Sequence, residues 1–151
     1  MIEKEELLSV IPHRGRMLLL DKVNRYDLKE ETVEAEYHIT EDCLFYDPSI
    51  GGVPAWVGFE FIAQAISAYS GIKDREMGIP SKIGFILGVS QMKIGISFFK
   101  TGSTLVIKTK EVECMDPLYI YSGEIFFQDK NILDGKLTVM KLDNEKGKQL
   151  I

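Results

Sequence analysis

Thr32 to Ile39 alternates without a break: Val33, Ala35, Tyr37 and Ile39 fall on one side, and Thr32, Glu34, Glu36 and His38 on the other. That period of two predicts a half-buried strand. Upstream, Met17 to Tyr26 reads as a strand that opens on the apolar run Met17-Leu18-Leu19-Leu20, and Leu28 to Glu31 is a polar turn. Glu3 to Val10 reads as a short helix carrying Leu7, Leu8 and Val10 on one side. Ile11-Pro12 ends it, because the residue before a proline is pushed out of the helical region. Thr40 to Val53, with Pro48, Gly51 and Gly52, reads as a long irregular connection, and loops of that length are often functional.

Beyond residue 80 the pattern is that of strands. Ile83 to Ile96 reads as one long strand with Gly84, Gly88 and Gly95 as bends or bulges. Ser103 to Cys114 alternates, with Leu105, Ile107, Thr109 and Glu111 sharing one face. Leu118 to Phe127 and Ile132 to Leu142 complete a meander, joined at Met115-Asp116-Pro117 and at Gln128 to Asn131. The polar tail from Asp143 to Lys148 is expected to fray. The layout is α+β with a mainly antiparallel sheet. Repeats, low-complexity tracts and linkers are not visible, so residues 1–151 are expected to form one domain.

The stretch from Ala55 to Tyr69 is different. Pro54 suits a helix start, Gly71 a helix end, and the apolar residues between them cover the whole circumference: Trp56, Val57, Phe59, Phe61, Ile62, Ala63, Ala65, Ile66, Ala68 and Tyr69. A helix that is apolar all round is buried on all sides. One curved sheet can cover only one side, so the other side is expected to meet a second subunit.

Glu60 interrupts this helix, and glutamate is rarely buried without a partner. Gln64 lies four residues on and shares its face, and Ala55 to Tyr69 holds no Lys or Arg. Desolvation would raise the pKa of such an acid. A carboxylic acid kept protonated near neutral pH can act as a general acid. Alternatively, Glu60 accepts hydrogen bonds and fixes the core. The amides of Ala55, Trp56 and Val57 at the helix start carry the positive end of the helix dipole and could polarise a bound carbonyl.

Composition narrows the function classes. The chain has 151 residues, 45% hydrophobic and 27% charged, and a chain of this size buries roughly 68–70% of its unfolded surface without staples. A net charge of −5 gives no reason to expect nucleic acid or an anionic membrane. Cys43 and Cys114 are too few for a disulfide framework or a Cys-based zinc site and suit a reducing cytoplasm. Met1 to Ser9 is acidic and amphipathic, unlike a signal peptide. Val53 to Ile72 has the length of a membrane span, but a carboxylate at its centre would cost about 3 kcal/mol, so no membrane is expected.

The pieces together resemble the β-hydroxyacyl-ACP dehydratases of the FabZ/FabA type. Ile11-Pro12-His13-Arg14 followed by Met17-Leu18-Leu19-Leu20-Asp21-Lys22-Val23 is similar to that family's opening motif. Phe59-Glu60-Phe61-Ile62-Ala63-Gln64-Ala65 is similar to its central-helix motif, and Ile86 to Val89 with Met92-Lys93-Ile94 to its third-strand region. The resemblance implies a hot-dog fold, a curled antiparallel sheet around one long helix, with a dimer as the smallest unit. It implies a histidine that removes the α-proton of a 3-hydroxyacyl thioester and an acid, here Glu60, that protonates the leaving hydroxyl. The thioester carbonyl is held near the helix start, around Ala55. An acyl carrier protein or CoA thioester is the implied substrate, and no metal or organic cofactor is implied.

One motif departs. The position of the family's loop histidine holds Tyr46, within Leu44-Phe45-Tyr46-Asp47-Pro48. Val53-Pro54-Ala55-Trp56-Val57-Gly58 resembles the divergent dehydratase-like proteins of aryl-polyene gene clusters, the ApeP type. A tyrosine, with a reference pKa of about 10, is a poor base unless shifted. The other candidate bases are His13, whose motif also occurs beside the loop histidine in active relatives, and Asp47; His38 falls on the polar face of its strand. Three functions follow: a dehydratase, a partner subunit of an active dehydratase, and a hot-dog thioesterase. Lys93, Lys100, Arg14 and Arg16 could form a basic patch for an acidic carrier.

Overall fold

The structure, a computed structural model, describes residues 1–150. The chain order is α1 (Lys4–Leu7), a 3-10 turn (Gly15–Met17), β1 (Lys22–Asp27), β2 (Thr32–His38), β3 (Gly52–Pro54), a second 3-10 turn (Ala55–Val57), α2 (Gly58–Glu76), β4 (Ile83–Ile94), β5 (Phe98–Lys100), β6 (Thr104–Met115), β7 (Leu118–Phe127), β8 (Lys130–Leu142) and α3 (Asn144–Leu150). Six strands form one sheet in the order β1-β2-β6-β7-β8-β4, and every neighbouring pair is antiparallel. β3 and β5 pair separately, beside the start of α2. This curled sheet around one long helix is the hot-dog arrangement. No helix among the described residues is long and apolar enough to cross a membrane.

Alternation decides which face meets the helix. Val33, Ala35 and Tyr37 of β2 lie opposite Thr109, Ile107 and Leu105 of β6, and all six are buried. On β7 and β8 the paired inward residues are Tyr121 with Leu137, Gly123 with Gly135, and Ile125 with Leu133. α2 lies directly on this surface. A Cβ at Gly123 would come within 2.4 Å of Ile62, so a side chain there would push the helix off the sheet.

Four local outcomes differ from the sequence reading. Leu18 to Leu20 is buried but outside the ladder. Gln64 bonds both the Leu19 amide and the Met17 carbonyl, so this apolar run is a tethered connection rather than a strand. α2 passes through Gly71 to Glu76. A Cβ at Gly71 would stand 1.8 Å from the Val10 carbonyl oxygen, so this glycine is a close approach to the segment after α1, not a stop. The long strand ends at Ile94, with irregular register at Gly88 and between Ser90 and Lys93. The tail forms α3, where the Asp143 carboxylate accepts from the Lys146 amide at 2.9 Å.

Candidate functional site

The Pro-His-Arg segment is built around Arg14. Its guanidinium donates to the carbonyls of Leu8 at 2.7 Å, Ile11 at 2.6 Å and His13 at 2.9 Å. These carbonyls lie beyond the end of α1, whose own last carbonyls, Glu6 and Leu7, accept from the Ser9, Val10 and Ile11 amides. The segment turns His13 toward α2, where its Nε2 stands 3.8 Å from Glu60 Oε1. At that distance the two groups influence each other's charge but share no hydrogen bond. The imidazole Nδ1 is buried without a hydrogen-bond partner among the described residues. Burial holds the His13 pKa below its ordinary 6.5, against the upward pull of Glu60 and with the added repulsion of Arg14. His13 is therefore neutral at pH 7 and able to accept a proton.

Glu60 is oriented by Gln64. The Gln64 side chain is fully buried; its Oε1 accepts from the Leu19 amide at 2.7 Å, and its Nε2 donates to Met17 O at 2.7 Å and to Glu60 Oε1 at 3.1 Å. The amide is thus oriented by main-chain groups at both ends and presents a donor to the carboxylate. The side chains of Glu60 and His13 are 21% and 25% exposed, and both face a cleft of about 710 Å³. The cleft lies between α2, residues 8–14, β4 and the end of β8. Ile11, Ala63, Ile66, Phe85 and Val139 make its wall apolar. Glu60, Ala63, Ser67 and Ser70 fall three or four residues apart on one face of α2, and all four are only half-buried. The all-round burial expected of this helix is therefore open along one stripe.

The other expected site residues lie elsewhere. Tyr46 is half-buried against the core, with its amide on the Cys43 carbonyl, outside the cleft. Asp47 accepts from the Ser49 hydroxyl at 2.6 Å and the Ser49 amide at 2.9 Å; those bonds lower its pKa, which makes it a weaker base. His38 is exposed and bonded to Thr104. The Ala55 amide is not free: it donates to the Ser97 carbonyl at 3.1 Å, beside the β3–β5 pair. A carbonyl-polarising amide of this turn would have to come from Trp56 or Val57. Trp56 is 59% exposed, its ring edge-on to Phe45, whereas Val57 is buried.

Two features of the cleft were not singled out from the sequence. One is Arg14 as the anchor that presents His13. The other is Lys141, buried in the cleft wall far along the chain from the motifs. Its signal was present in the alternation of β8, which puts Leu133, Leu137, Val139 and Lys141 on the inner face.

Residues 5–150 match the ApeP-like family, described as ApeP dehydratase. A 3-hydroxyacyl-[acyl-carrier-protein] dehydratase FabZ of Chlamydia trachomatis is 30% identical over 112 residues, which cover 70% of each chain. The dehydratase heterocomplex ApeI:P from Xenorhabdus doucetiae contains a chain with a TM-score of 0.86 and 24% identity, covering 95% of both. A hypothetical thioesterase with coenzyme A from Streptococcus pneumoniae has a TM-score of 0.60 at 14% identity, covering 90% of this chain and 91% of the other, and shares the fold. The acid, histidine and glutamine motifs, the curled sheet around α2 and the match along nearly the whole length agree: this chain belongs to the ApeP-like dehydratase family.

Proposed function

We propose that the chain, as one hot-dog domain acting in the cytoplasm, removes water from 3-hydroxyacyl thioesters at the cleft end occupied by His13 and Glu60. Dehydration breaks the α-carbon–hydrogen bond and the β-carbon–oxygen bond. His13 takes the α-proton, and Glu60, in its protonated form, gives its proton to the hydroxyl, which leaves as water. The electron pair of the broken C–H bond becomes the double bond of the enoyl thioester. The observation that carries this reading is the half-buried imidazole and the carboxyl 3.8 Å apart at one end of an apolar cleft. Gln64 holds the carboxyl, Arg14 holds the histidine, and neither catalytic group is bonded to the other. The Trp56 or Val57 amide is the donor for the thioester carbonyl. The exposed Lys93 and Lys100 are the approach for an acidic carrier protein.

A second reading assigns the α-proton to a base on another subunit. Two observations favour it: the loop position of the family histidine is Tyr46, and β4 ends the sheet with Ile86, Leu87, Val89 and Ile94 exposed. Pairing along that edge, with a second copy or with a second dehydratase subunit, would extend the sheet and cover the open stripe of α2. The relative in a dehydratase heterocomplex supports this assembly.

The test is paired. Wild-type protein and Glu60→Gln are given 3-hydroxyacyl-ACP and acyl-CoA, each with and without a candidate second dehydratase subunit, and enoyl product and free thiol are scored. Enoyl formation by the protein alone, reduced roughly 10²–10⁴-fold in the variant at an unchanged melting temperature, is the expected result. Turnover only with the second subunit would move the base there. Release of free thiol without enoyl product would make the protein a thioesterase.

A further inference from the structure

The end of the cleft away from His13 and Glu60 holds a buried ammonium. Lys141, at an inward position of β8 opposite Gly84 of β4, is 7% exposed and lines the cleft wall. Its Nζ donates to the Tyr121 hydroxyl and lies 4.1 Å from the centre of the Tyr119 ring and 4.9 Å from that of Tyr121. Among the described residues it makes no ion pair. Glu111, the acid that acts on it most strongly, is 3.7 Å from Lys73 instead and receives the Tyr121 hydroxyl at 3.3 Å. Asp74 accepts from the Lys82 amide at 3.2 Å. An ammonium has three donors, and here a single neutral oxygen is bonded to them. A buried charge lacking a counter-ion is costly, and burial lowers the Lys141 pKa to about 8.

The rest of the cleft shows what could use those donors. From Glu60 to Gly71 its helical wall runs about 16 Å. Apolar side chains line the middle, while Ser70, Ser81 and Lys82 accompany Lys141 at the far end. The cleft is thus polar at both ends and apolar between them.

We propose that this far end is a subsite for the tail of the acyl chain, and that it selects a tail ending in a hydrogen-bond-accepting oxygen, bound by Lys141 Nζ. The inference rests on the acyl-thioester reading and adds the substrate class. A methyl-ended chain that filled the cleft would strip water from the ammonium and supply no acceptor. An oxygen-ended chain supplies one.

The experiment is titration calorimetry with non-reacting thioether analogues of acyl-pantetheine. Their chains span about 16 Å and end in a methyl, a hydroxyl or a carboxylate. Wild-type protein is expected to bind the oxygen-ended ligands roughly 10- to 100-fold more tightly than the methyl-ended one, as for a hydrogen bond to a charged group. Lys141→Met is expected to abolish that preference while keeping the methyl-ended ligand, and Lys141→Arg to retain it in part. A wild-type measurement at pH 7 and pH 9.5 needs no variant: the carboxylate preference should fall as Lys141 loses its proton. A carboxylate advantage over the hydroxyl means an anionic tail, and equal gains mean a neutral one. Equal wild-type binding of all three ligands, or a preference that survives Lys141→Met, overturns the subsite. If none of the three binds, the acyl-cleft reading itself fails, which separates that failure from this one.

Discussion

At the scale of single residues, the two bases of the cleft, half-buried His13 and buried Lys141, share the main cause of their shifts. Burial lowers both His13 and Lys141, against the upward pull of Glu60 on the first and of Glu111 on the second. Followed by NMR, His13 is expected to titrate below 6.5. In Glu60→Gln it should titrate lower still, because the ionised form of Glu60, which raises its pKa, is gone; an unchanged or higher value would mean that the two groups do not interact. A dehydration rate limited by His13 should show its acid limb in the same range. Lys141 makes a separate prediction about stability. The unfolded chain keeps the Lys141 proton up to its ordinary 10.5, and the folded chain loses it near 8. Between those values the unfolded state binds more protons, so stability rises with pH. The gain between pH 8 and 10 is about 2–3 kcal/mol. Above pH 10 the trend reverses, because burial holds the phenol protons of Tyr37, Tyr69, Tyr119 and Tyr121 in the folded state. Lys141→Met should flatten the rise in melts compared at pH 8 and 10, and a slope unchanged by the substitution would assign it to another group.

At the scale of elements, the site depends on how α2 holds the extended segment before β1. Gln64 bonds to that segment at both ends of its amide. Gln64→Leu would fit the apolar surroundings but leave the Leu19 amide and Met17 carbonyl without partners. Each such group costs about 1–3 kcal/mol when buried, so a loss of roughly 2–6 kcal/mol is expected in denaturant melts. Amide exchange should quicken first at Leu19, whose donor is released. A Gln64→Leu protein of full stability would show that water replaces both bonds.

At the scale of the whole molecule, the exposed edge strand bears on assembly. β4 lies at one end of the sheet order, and Leu87 is 55% exposed, with Ile86, Val89 and Ile94 close behind. A long edge with apolar side chains is a surface for strand pairing. Sedimentation at micromolar concentration is expected to give at least a dimer. Leu87→Lys, which places a charge on that edge, should shift it toward the 17.1 kDa monomer. A wild-type protein that stays monomeric, alone and with a second dehydratase subunit, would rule out the edge as an interface.

The α+β class, the inward face of each long strand and the central helix with its acid were legible in the sequence, because period-two and helical apolar patterns follow burial, although the open stripe of α2 was not foreseen. The motifs carrying His13, Glu60 and Gln64 were legible for the same local reason: each lies within a short stretch of chain. What Gln64 and Arg14 do was not legible, since both bond main-chain groups whose positions exist only after folding. Gly71 reads alone as a helix stop, yet the Val10 carbonyl pressed against it makes it a contact inside a longer helix. The run Leu18 to Leu20 reads as a strand, yet its backbone partner is a side chain on α2. The Ala55 amide, available by the rules of an isolated helix, is taken by the Ser97 carbonyl. Tertiary structure alone set the 3.8 Å between His13 and Glu60. It also carried Lys141 into the same cleft, because sheet order makes neighbours of β4 and β8 and lays both against α2, however far apart they stand along the chain.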